Sequence, residues 1–225
     1  MDLSDKIDVL DRIYKIYDAF TDSLELACQR YCSTCCTCNV TMTSLEGYKI
    51  ANHLIENSKL ELFKKIKDKS YKKRFLPKIT TNKIADLCIQ GKELPDEKID
   101  SSWGSCPLLM NDECPIYTVR PFGCRCMVSK TNCIDEAEMD PFVLTVNNVF
   151  LQYIEHIDQQ GFSGNFTDVL LFMESEDNYK NYRIKDLTNP EEGLIKNLPM
   201  TILLVPPEHK NKIKPILNSL RLPTT

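Results

Sequence analysis

The chain has 225 residues and a formal net charge of −4, which is long enough for one large domain or for one domain with an appendage. This mildly acidic balance argues against a surface that follows nucleic-acid phosphates. The mean hydropathy is −0.30 and no apolar run approaches the roughly 18 residues of a membrane span, so we expect no membrane association. The acidic start, Met1 to Asp5, does not resemble a signal peptide and predicts a cytoplasmic protein.

Glycine and cysteine are the informative residue types in this composition. The 7 glycines form no Gly-x-Gly pair, which excludes a Rossmann dinucleotide fingerprint and a P-loop, because both need glycine where the backbone approaches phosphate. The 11 cysteines are an odd number, and a reducing compartment keeps thiols free. Clustered thiols in such a compartment point to metal binding.

Helical periodicity dominates the first ninety residues. Ser4 is a candidate N-cap for one long helix, or two joined helices, that continues to about residue 37. Thr43 and Glu46 form a capping-box pattern for a second helix that ends near residue 55. The basic stretch 64–74 is typical of a solvated helix face, and 81–89 predicts a short helix.

The pattern becomes irregular over residues 93–132, where proline, glycine and cysteine replace periodicity. Asp140 and Pro141 then predict the N-cap and first position of a helix that ends near Gly161. We further predict a helix over 167–182, a strand over 200–205 and a final helix to Leu220.

These elements predict a mainly α fold: a helical domain with an irregular Cys-rich metal-binding loop and little β structure. We assign residues 1–135 to a cysteine-cluster domain. Residues 136–225 are assigned to a helical C-terminal extension packed on the same domain.

Four cysteines lie within nine residues of the first predicted helix: Cys28, Cys32, Cys35 and Cys36. A helix turns about 100° per residue, so these four would share one face, with Cys38 pointing elsewhere. Thiols on one stripe are close enough to share a metal. The alternative is a stripe of buried, inert cysteines that pack as small hydrophobes.

The irregular segment and its end contain the second group of cysteines: Cys106, Cys114, Cys124, Cys126 and Cys133. This loop has few apolar residues, so we expect a thiolate-bound metal to order it. Arg120 and Arg125 would offset the negative charge of the thiolates and lower their pKa values. An ion pair on the surface or in the core is the alternative for both arginines.

The cysteine motifs occur in a specific order along the chain. The first run is followed by Val40-Thr41, Glu46, Cys106-Pro107-Leu108-Leu109, Cys114-Pro115-Ile116-Tyr117, Arg120-Pro121 and Cys124-Arg125. Over about residues 25–130 this combination resembles the YkgJ-type cysteine-cluster family, a zinc- or iron-chelating domain with a CxxCxxCC signature. Two features depart from the family: the first spacing has three intervening residues, and Ser33-Thr34 stands where the family commonly has glycine.

The resemblance implies a set of metal ligands and a set of supporting residues. The implied ligands are Cys28, Cys32, Cys35, Cys36, Cys106, Cys114 and Cys124, and the supporting residues are Tyr117, Arg120 and Arg125. Three cysteines outside the family pattern are candidate additional ligands: Cys38, Cys126 and Cys133.

All-thiolate ligation suits zinc or an iron–sulfur cluster and excludes calcium and magnesium. We favour an iron–sulfur cluster of the [4Fe–4S] type, with zinc as the alternative, because the flagellin lysine-N-methylases have a related Cys-rich segment that the resemblance links to such a cluster. The sequence thus predicts a metal-binding protein that acts in sensing, electron transfer or metal handling, with metal and a protein as its partners. The alternatives are a cluster-dependent enzyme similar to those methylases and a zinc-stapled interaction scaffold.

Overall fold

The computed structural model describes residues 1–28, 31–134, 136–187 and 192–221. Helices dominate this part of the chain, as predicted, and one small sheet accompanies them. The helices are α1 (Leu3–Asp22), α2 (Ser44–Glu56), α3 (Glu61–Asp68), α4 (Thr81–Ile89), α5 (Phe122–Arg125), α6 (Pro141–Ile157), α7 (Phe166–Glu174), α8 (Glu176–Ile184) and α9 (Lys214–Leu220). The strands are β1 (Thr41–Thr43), β2 (Phe162–Asn165) and β3 (Leu194–Lys196), and short 3-10 turns cover Ser101–Trp103, Tyr117–Val119 and Pro207–His209.

The three strands form an antiparallel sheet in the order β1-β2-β3. Thr41 pairs with Asn165, and Phe162 pairs with Lys196. β1 leads directly into α2 and β2 leads directly into α7, and these two helices pack against each other. The sheet therefore joins the segment that follows the first cysteine run to the segment that follows α6.

An aromatic cluster in the core joins α1, α5 and α6. The Tyr17 ring packs edge-on against Phe122 and Phe150, with centroids 4.7 and 5.2 Å apart, and the rings of Phe122 and Phe150 are stacked. All three side chains are fully buried. The predicted domain boundary, residue 135, lies outside the described residues, and side chains from both sides of it belong to this one hydrophobic cluster.

The buried carboxylate of Asp158 ties the start of α2 to the end of α6. One of its oxygens accepts hydrogen bonds from the hydroxyl of Ser44 at 2.6 Å and from the backbone N–H of Leu45 at 2.9 Å. The other accepts from the hydroxyl of Tyr182 at 2.8 Å and lies 3.7 Å from the ammonium of Lys6. Three helices and the N-terminal turn of a fourth therefore meet at one charged group.

Local capping signals predicted several helix starts correctly. Thr43 and Glu46 form the capping box of α2, with the Thr43 N–H donating to the Glu46 carboxylate at 2.9 Å. Asp140 is the N-cap of α6 and Pro141 is its first residue, although α6 ends at Ile157 rather than near residue 161. The predicted helix over 81–89 is confirmed, and the lysines of the basic stretch on α3 lie on its solvated face.

The first helix differs from its prediction at both ends. Asp2, not Ser4, is its N-cap, and it ends at Asp22, so the cysteine run does not lie on a helix. Ser23 ends α1 by donating to the carbonyl oxygen of Phe20, and Ala27 then donates its N–H to the distant Ser129 carbonyl at 2.9 Å. Contacts with a remote segment replace the continuing helix; residues 29 and 30 lie outside the described part.

Two later elements also differ from their predictions. The helix over 167–182 is interrupted at Ser175, whose hydroxyl caps α8 by accepting from the N–H of Asn178 at 3.4 Å. Residues 200–205 form no strand, because side chains of α6 bind the backbone there: Gln152 accepts from the N–H of Leu204 at 2.9 Å. Among the described residues, no helix combines the length and apolarity needed to cross a bilayer.

Candidate metal centre

One cavity collects most of the cysteines of the chain. Its lining includes Cys28, Cys32, Cys35, Cys36, Cys38, Cys106, Cys114, Cys124 and Cys133, together with Tyr117 and Arg120. Its volume is about 110 Å³, well above the roughly 10–15 Å³ that a single water needs. All seven cysteines implied by the resemblance line this cavity, and so do two of the three additional candidates. All eleven cysteines are among the described residues, and each is a free thiol.

The first cysteine run is a loop that is bound to the second cysteine segment by its backbone. The N–H of Cys106 donates to the carbonyl oxygen of Cys36 at 2.8 Å, and the N–H of Cys38 donates to that of Gly104 at 3.0 Å. The hydroxyl of Ser33 donates to the Asp112 carboxylate at 2.5 Å. The thiols therefore converge through pairing between two loops. The sequence had instead predicted that they would share one face of a helix.

A second link holds Cys28 near the segment that carries Cys133. The N–H of Ser129 donates to the sulfur of Cys28 at 3.2 Å. The hydroxyl of Ser129 accepts from the N–H of Glu138 at 2.9 Å, and the N–H of Lys130 donates to the Glu138 carbonyl at 2.9 Å. These bonds bring residues 129 and 130 close to residue 138, and Cys133, which lies between them in the sequence, lines the cavity.

The central loop has buried apolar side chains that anchor it to the core, whereas the sequence indicated only that it has few apolar residues. Leu108, Ile116 and Phe122 are at most 2% exposed and belong to the hydrophobic core. Between the first two, Asn111 and Asp112 take the left-handed conformation of a tight turn, and the backbone pairs around it. Three buried apolar side chains within fifteen residues therefore anchor this loop to the core. They do not recur at a helical or strand spacing, so the sequence pattern gave no sign of them.

Cys124 is positioned by Glu46 and by a close backbone approach. The buried carboxylate of Glu46 accepts from the N–H of Phe122 at 2.6 Å and from the hydroxyl of Tyr14 at 2.7 Å. Gly123 lies so near β1 that a Cβ there would sit 2.5 Å from the carbonyl oxygen of Thr41. The sequence identified Glu46 as part of a helix cap and of the motif order shared with the cysteine-cluster family, but its hydrogen bond to the cysteine loop depends on the tertiary fold.

We expect Gly123→Ala to lower the free energy of unfolding by about 1–3 kcal/mol, the usual cost of overpacking, because the new methyl group meets backbone that cannot rotate away. The same change should make the Cys124 thiol react faster with a thiol reagent. Urea unfolding and timed thiol labelling measure both effects. Met127→Ala, at a 47% exposed position nearby, is the control. Unchanged stability and unchanged labelling of Cys124 would contradict the described contact.

The two arginines have different roles. Arg120 lines the cavity, stacks on the Tyr117 ring at 3.7 Å and donates to the Tyr117 carbonyl at 3.0 Å. Arg125 lies outside the lining, where it forms an ion pair with Asp18 and stacks on the ring of Tyr14 at 4.3 Å. Arg125 therefore braces the loop through an ion pair, the alternative left open by the sequence, while Arg120 supplies positive charge to the thiols.

Burial controls the acidity of the deeper thiols. It raises the pKa of Cys106 to about 11, while N–H groups of Leu108 and Leu109 that donate to its sulfur act in the opposite direction. Burial also raises the pKa of Cys124, and the charges of Cys106 and Cys114 raise it further. Burial raises the pKa of Cys114, whereas a backbone hydrogen bond from Ile116 and the positive charge of Arg120 lower it. N–H donors aimed at sulfur are a common feature around metal-bound thiolates.

The cysteines of the first run also influence one another's acidity. Burial is the main cause that raises the pKa of Cys28, and the charges of Cys133, Cys35 and Cys32 raise it further. A hydrogen bond from the Cys35 thiol to the sulfur of Cys36 raises the pKa of Cys35 and lowers the pKa of Cys36. Cys28 and Cys32 are exposed, so this side of the cavity opens to solvent.

Three cysteines stand apart from those described above. Cys38 lines the cavity, but its thiol lies 3.5 Å from the carbonyl oxygen of Lys73. Cys126 lies outside the lining, in the hydrophobic core, with its thiol 3.6 Å from the Gly123 carbonyl, and burial raises its pKa to about 12. Cys88 is exposed on α4. The sulfurs of the first two are thus directed to backbone oxygens.

The donor chemistry of the cavity fits a soft metal, since the described residues of its lining offer thiols and include no carboxylate or imidazole. Among the described residues, no three Cys, His, Asp or Glu side chains lie in an arrangement that could hold a metal ion.

Comparisons with known proteins return no relative. The chain matches no family model, and neither the curated proteins nor the solved structures contain a significant match. The resemblance to the YkgJ-type family therefore stays a prediction from the motif spacing.

Proposed function

We propose that this chain holds an iron–sulfur cluster of the [4Fe–4S] type in the cysteine-lined cavity, with zinc as the alternative, and acts in sensing, electron transfer or metal handling in the cytoplasm. One observation supports the proposal above all others: nine of the eleven cysteines, from sequence positions as distant as Cys28 and Cys133, line one cavity. Buried thiols without a shared role would be expected to scatter through the core. When bound, the metal would supply a redox or Lewis-acid centre there.

The surroundings of the cavity favour a functional metal centre rather than a purely structural zinc site. The central loop has apolar anchors at Leu108, Ile116 and Phe122, so a metal is not its sole link to the core. The positive charge of Arg120 beside the cavity offsets a net negative thiolate site. Exposed Cys28 and Cys32 leave the centre accessible to small oxidants or to a protein partner.

The direct test is metal analysis of protein purified without oxygen. We expect stoichiometric iron with acid-labile sulfide and absorption near ~400 nm, the usual signature of an iron–sulfur cluster. The double variant Cys106→Ser, Cys124→Ser should bind less metal and absorb less than the wild type, whereas Cys88→Ser, at an exposed site on α4, should keep the full metal content and absorption. Colourless protein with stoichiometric zinc would support the alternative metal. Wild-type protein without bound metal, or a double variant with full metal, would contradict the proposal.

Metal removal should leave the helical core intact. After anoxic chelation we expect the far-ultraviolet circular dichroism to stay unchanged, because the helices pack on a large hydrophobic core that also includes the apolar anchors of the central loop. Protease cleavage should increase only at the loops around residues 31–39 and 127–134. Global loss of helix on chelation would instead favour the structural staple.

A further inference from the structure

The cavity offers more thiols than one centre uses. Zinc in a structural site takes four donors, and a [4Fe–4S] cluster likewise takes four cysteines. Nine cysteines line the cavity, and the thiol of one of them, Cys38, is directed to the carbonyl oxygen of Lys73. The remaining eight are twice the number that one centre needs.

Four of the eight form a deep group on the central loop. Cys106, Cys114 and Cys124 come from the segment anchored by Leu108, Ile116 and Phe122, and Cys36 joins them through the hydrogen bond between its carbonyl oxygen and the N–H of Cys106. This hydrogen bond places Cys36 beside the central loop, and all four cysteines line the cavity.

The other four form an outer group on two loops. Cys28, Cys32 and Cys35 lie on the chain that follows α1, and Cys133 lies on the loop closed by Ser129 and Glu138. The N–H of Ser129 donates to the Cys28 sulfur, which fixes the two loops side by side.

Resting on the proposed function, we infer that the cavity holds two four-thiolate centres: an inner one on Cys36, Cys106, Cys114 and Cys124, and an outer one on Cys28, Cys32, Cys35 and Cys133. The adjacent Cys35 and Cys36 divide between them, so the two centres are neighbours. Cys133, outside the motif spacing of the first two segments, completes the outer centre. Cys38 and Cys126 are not ligands, because their thiols are directed to backbone carbonyls.

The two groups differ in surroundings, and this difference predicts a difference in behaviour. The inner cysteines are partly or fully buried beside Ile116 and Leu108, while Cys28 and Cys32 are exposed. Solvent and chelators reach an exposed thiolate more easily than a buried one. The outer centre is therefore lost first on exposure to air or chelator.

Native mass spectrometry of full-length protein under anoxic conditions tests the inference by counting centres per chain. We expect two centres in the wild type, one in Cys133→Ser and in Cys32→Ser, one in Cys114→Ser, and none when Cys114→Ser and Cys133→Ser are combined. Cys88→Ser and Cys38→Ser should retain two. Circular dichroism of each variant checks that its helices are intact, and the two outer variants change loops away from the core.

The outcomes separate the inference from the function on which it rests. One centre in the wild type that is unaffected by Cys133→Ser would overturn the two-centre inference and leave the proposed function standing. Two centres retained in both outer variants would also overturn it. Wild-type protein that binds neither iron nor zinc would overturn both. Slower loss of metal from Cys133→Ser than from the wild type, during timed chelation, would support the exposed position of the outer centre.

Discussion

Replacing Glu46 by alanine should lower the free energy of unfolding by about 3–5 kcal/mol. The Glu46 carboxylate is 3% exposed and accepts hydrogen bonds from the N–H groups of Thr43 and Phe122 and from the hydroxyls of Thr43 and Tyr14. A buried donor left without an acceptor costs about 1–3 kcal/mol, and four donors lose one here. Urea unfolding followed by circular dichroism measures the change.

The same variant should expose Cys124, because Glu46 holds the first N–H of the short helix that carries it. Faster labelling of Cys124 would separate this local effect from global unfolding when it is measured well below the urea midpoint. Glu56→Ala is the matched control: Glu56 lies on the same helix, is exposed, and accepts one hydrogen bond from Asn52. Equal effects of the two variants would refute the special role of Glu46.

Asp158→Ala should destabilise the fold by about 3–5 kcal/mol at neutral pH, the range seen when one member of a buried charge pair is removed. The carboxylate is fully buried and holds Ser44, Leu45 and Tyr182. Its loss would leave the ammonium of Lys6, which is 7% exposed, without its partner. The unfolding free energy in urea at pH 7 measures the effect, and Asp8→Ala, at an exposed site on α1, is the control.

The wild type and Asp158→Ala should also differ in their pH dependence. Burial raises the pKa of Asp158 from 3.8 to about 6, although the hydrogen bonds from Ser44 and Tyr182 and the charge of Lys6 act in the opposite direction. The charge of Asp158 in turn raises the pKa of nearby Glu155. The folded state then binds the Asp158 proton more tightly than the unfolded chain, so this group's contribution is largest below about pH 4 and is lost as the pH rises through about 6. The variant should lack this decline. Parallel curves for the two proteins between pH 4 and 7 would contradict it.

Sequence patterns predicted the features that depend on neighbouring residues. The capping box at Thr43 and the Asp140-Pro141 start both act within one helical turn, and the structure contains both. The cysteine run matches helical spacing equally well, yet hydrogen bonds to Gly104 and Ser129 hold it as a loop. Those partners are far along the chain, so periodicity gave no sign of them.

The same sequence patterns could not predict the strands or the full set of residues at the site. Each strand has only three or four residues, too few for an alternating pattern to be visible. The resemblance named seven cysteines that line the cavity, but Cys133 reaches it through the loop closed by Ser129 and Glu138. Glu46 likewise reads as a helix cap until the fold brings Phe122 to it.

During synthesis on the ribosome, β1 cannot pair with β2 until β2 has been made. Thr43 pairs with Ser163, which is made 120 residues later. At about 5–20 residues per second, roughly 6–24 s pass between the synthesis of β1, which follows the first cysteine run, and the synthesis of its partner strand β2. During that interval the nascent thiols are open to oxidants and to whatever metal is available. If the proposed function is correct, metal delivery to these thiols, or their protection from oxidation, has to begin before the chain has been completed.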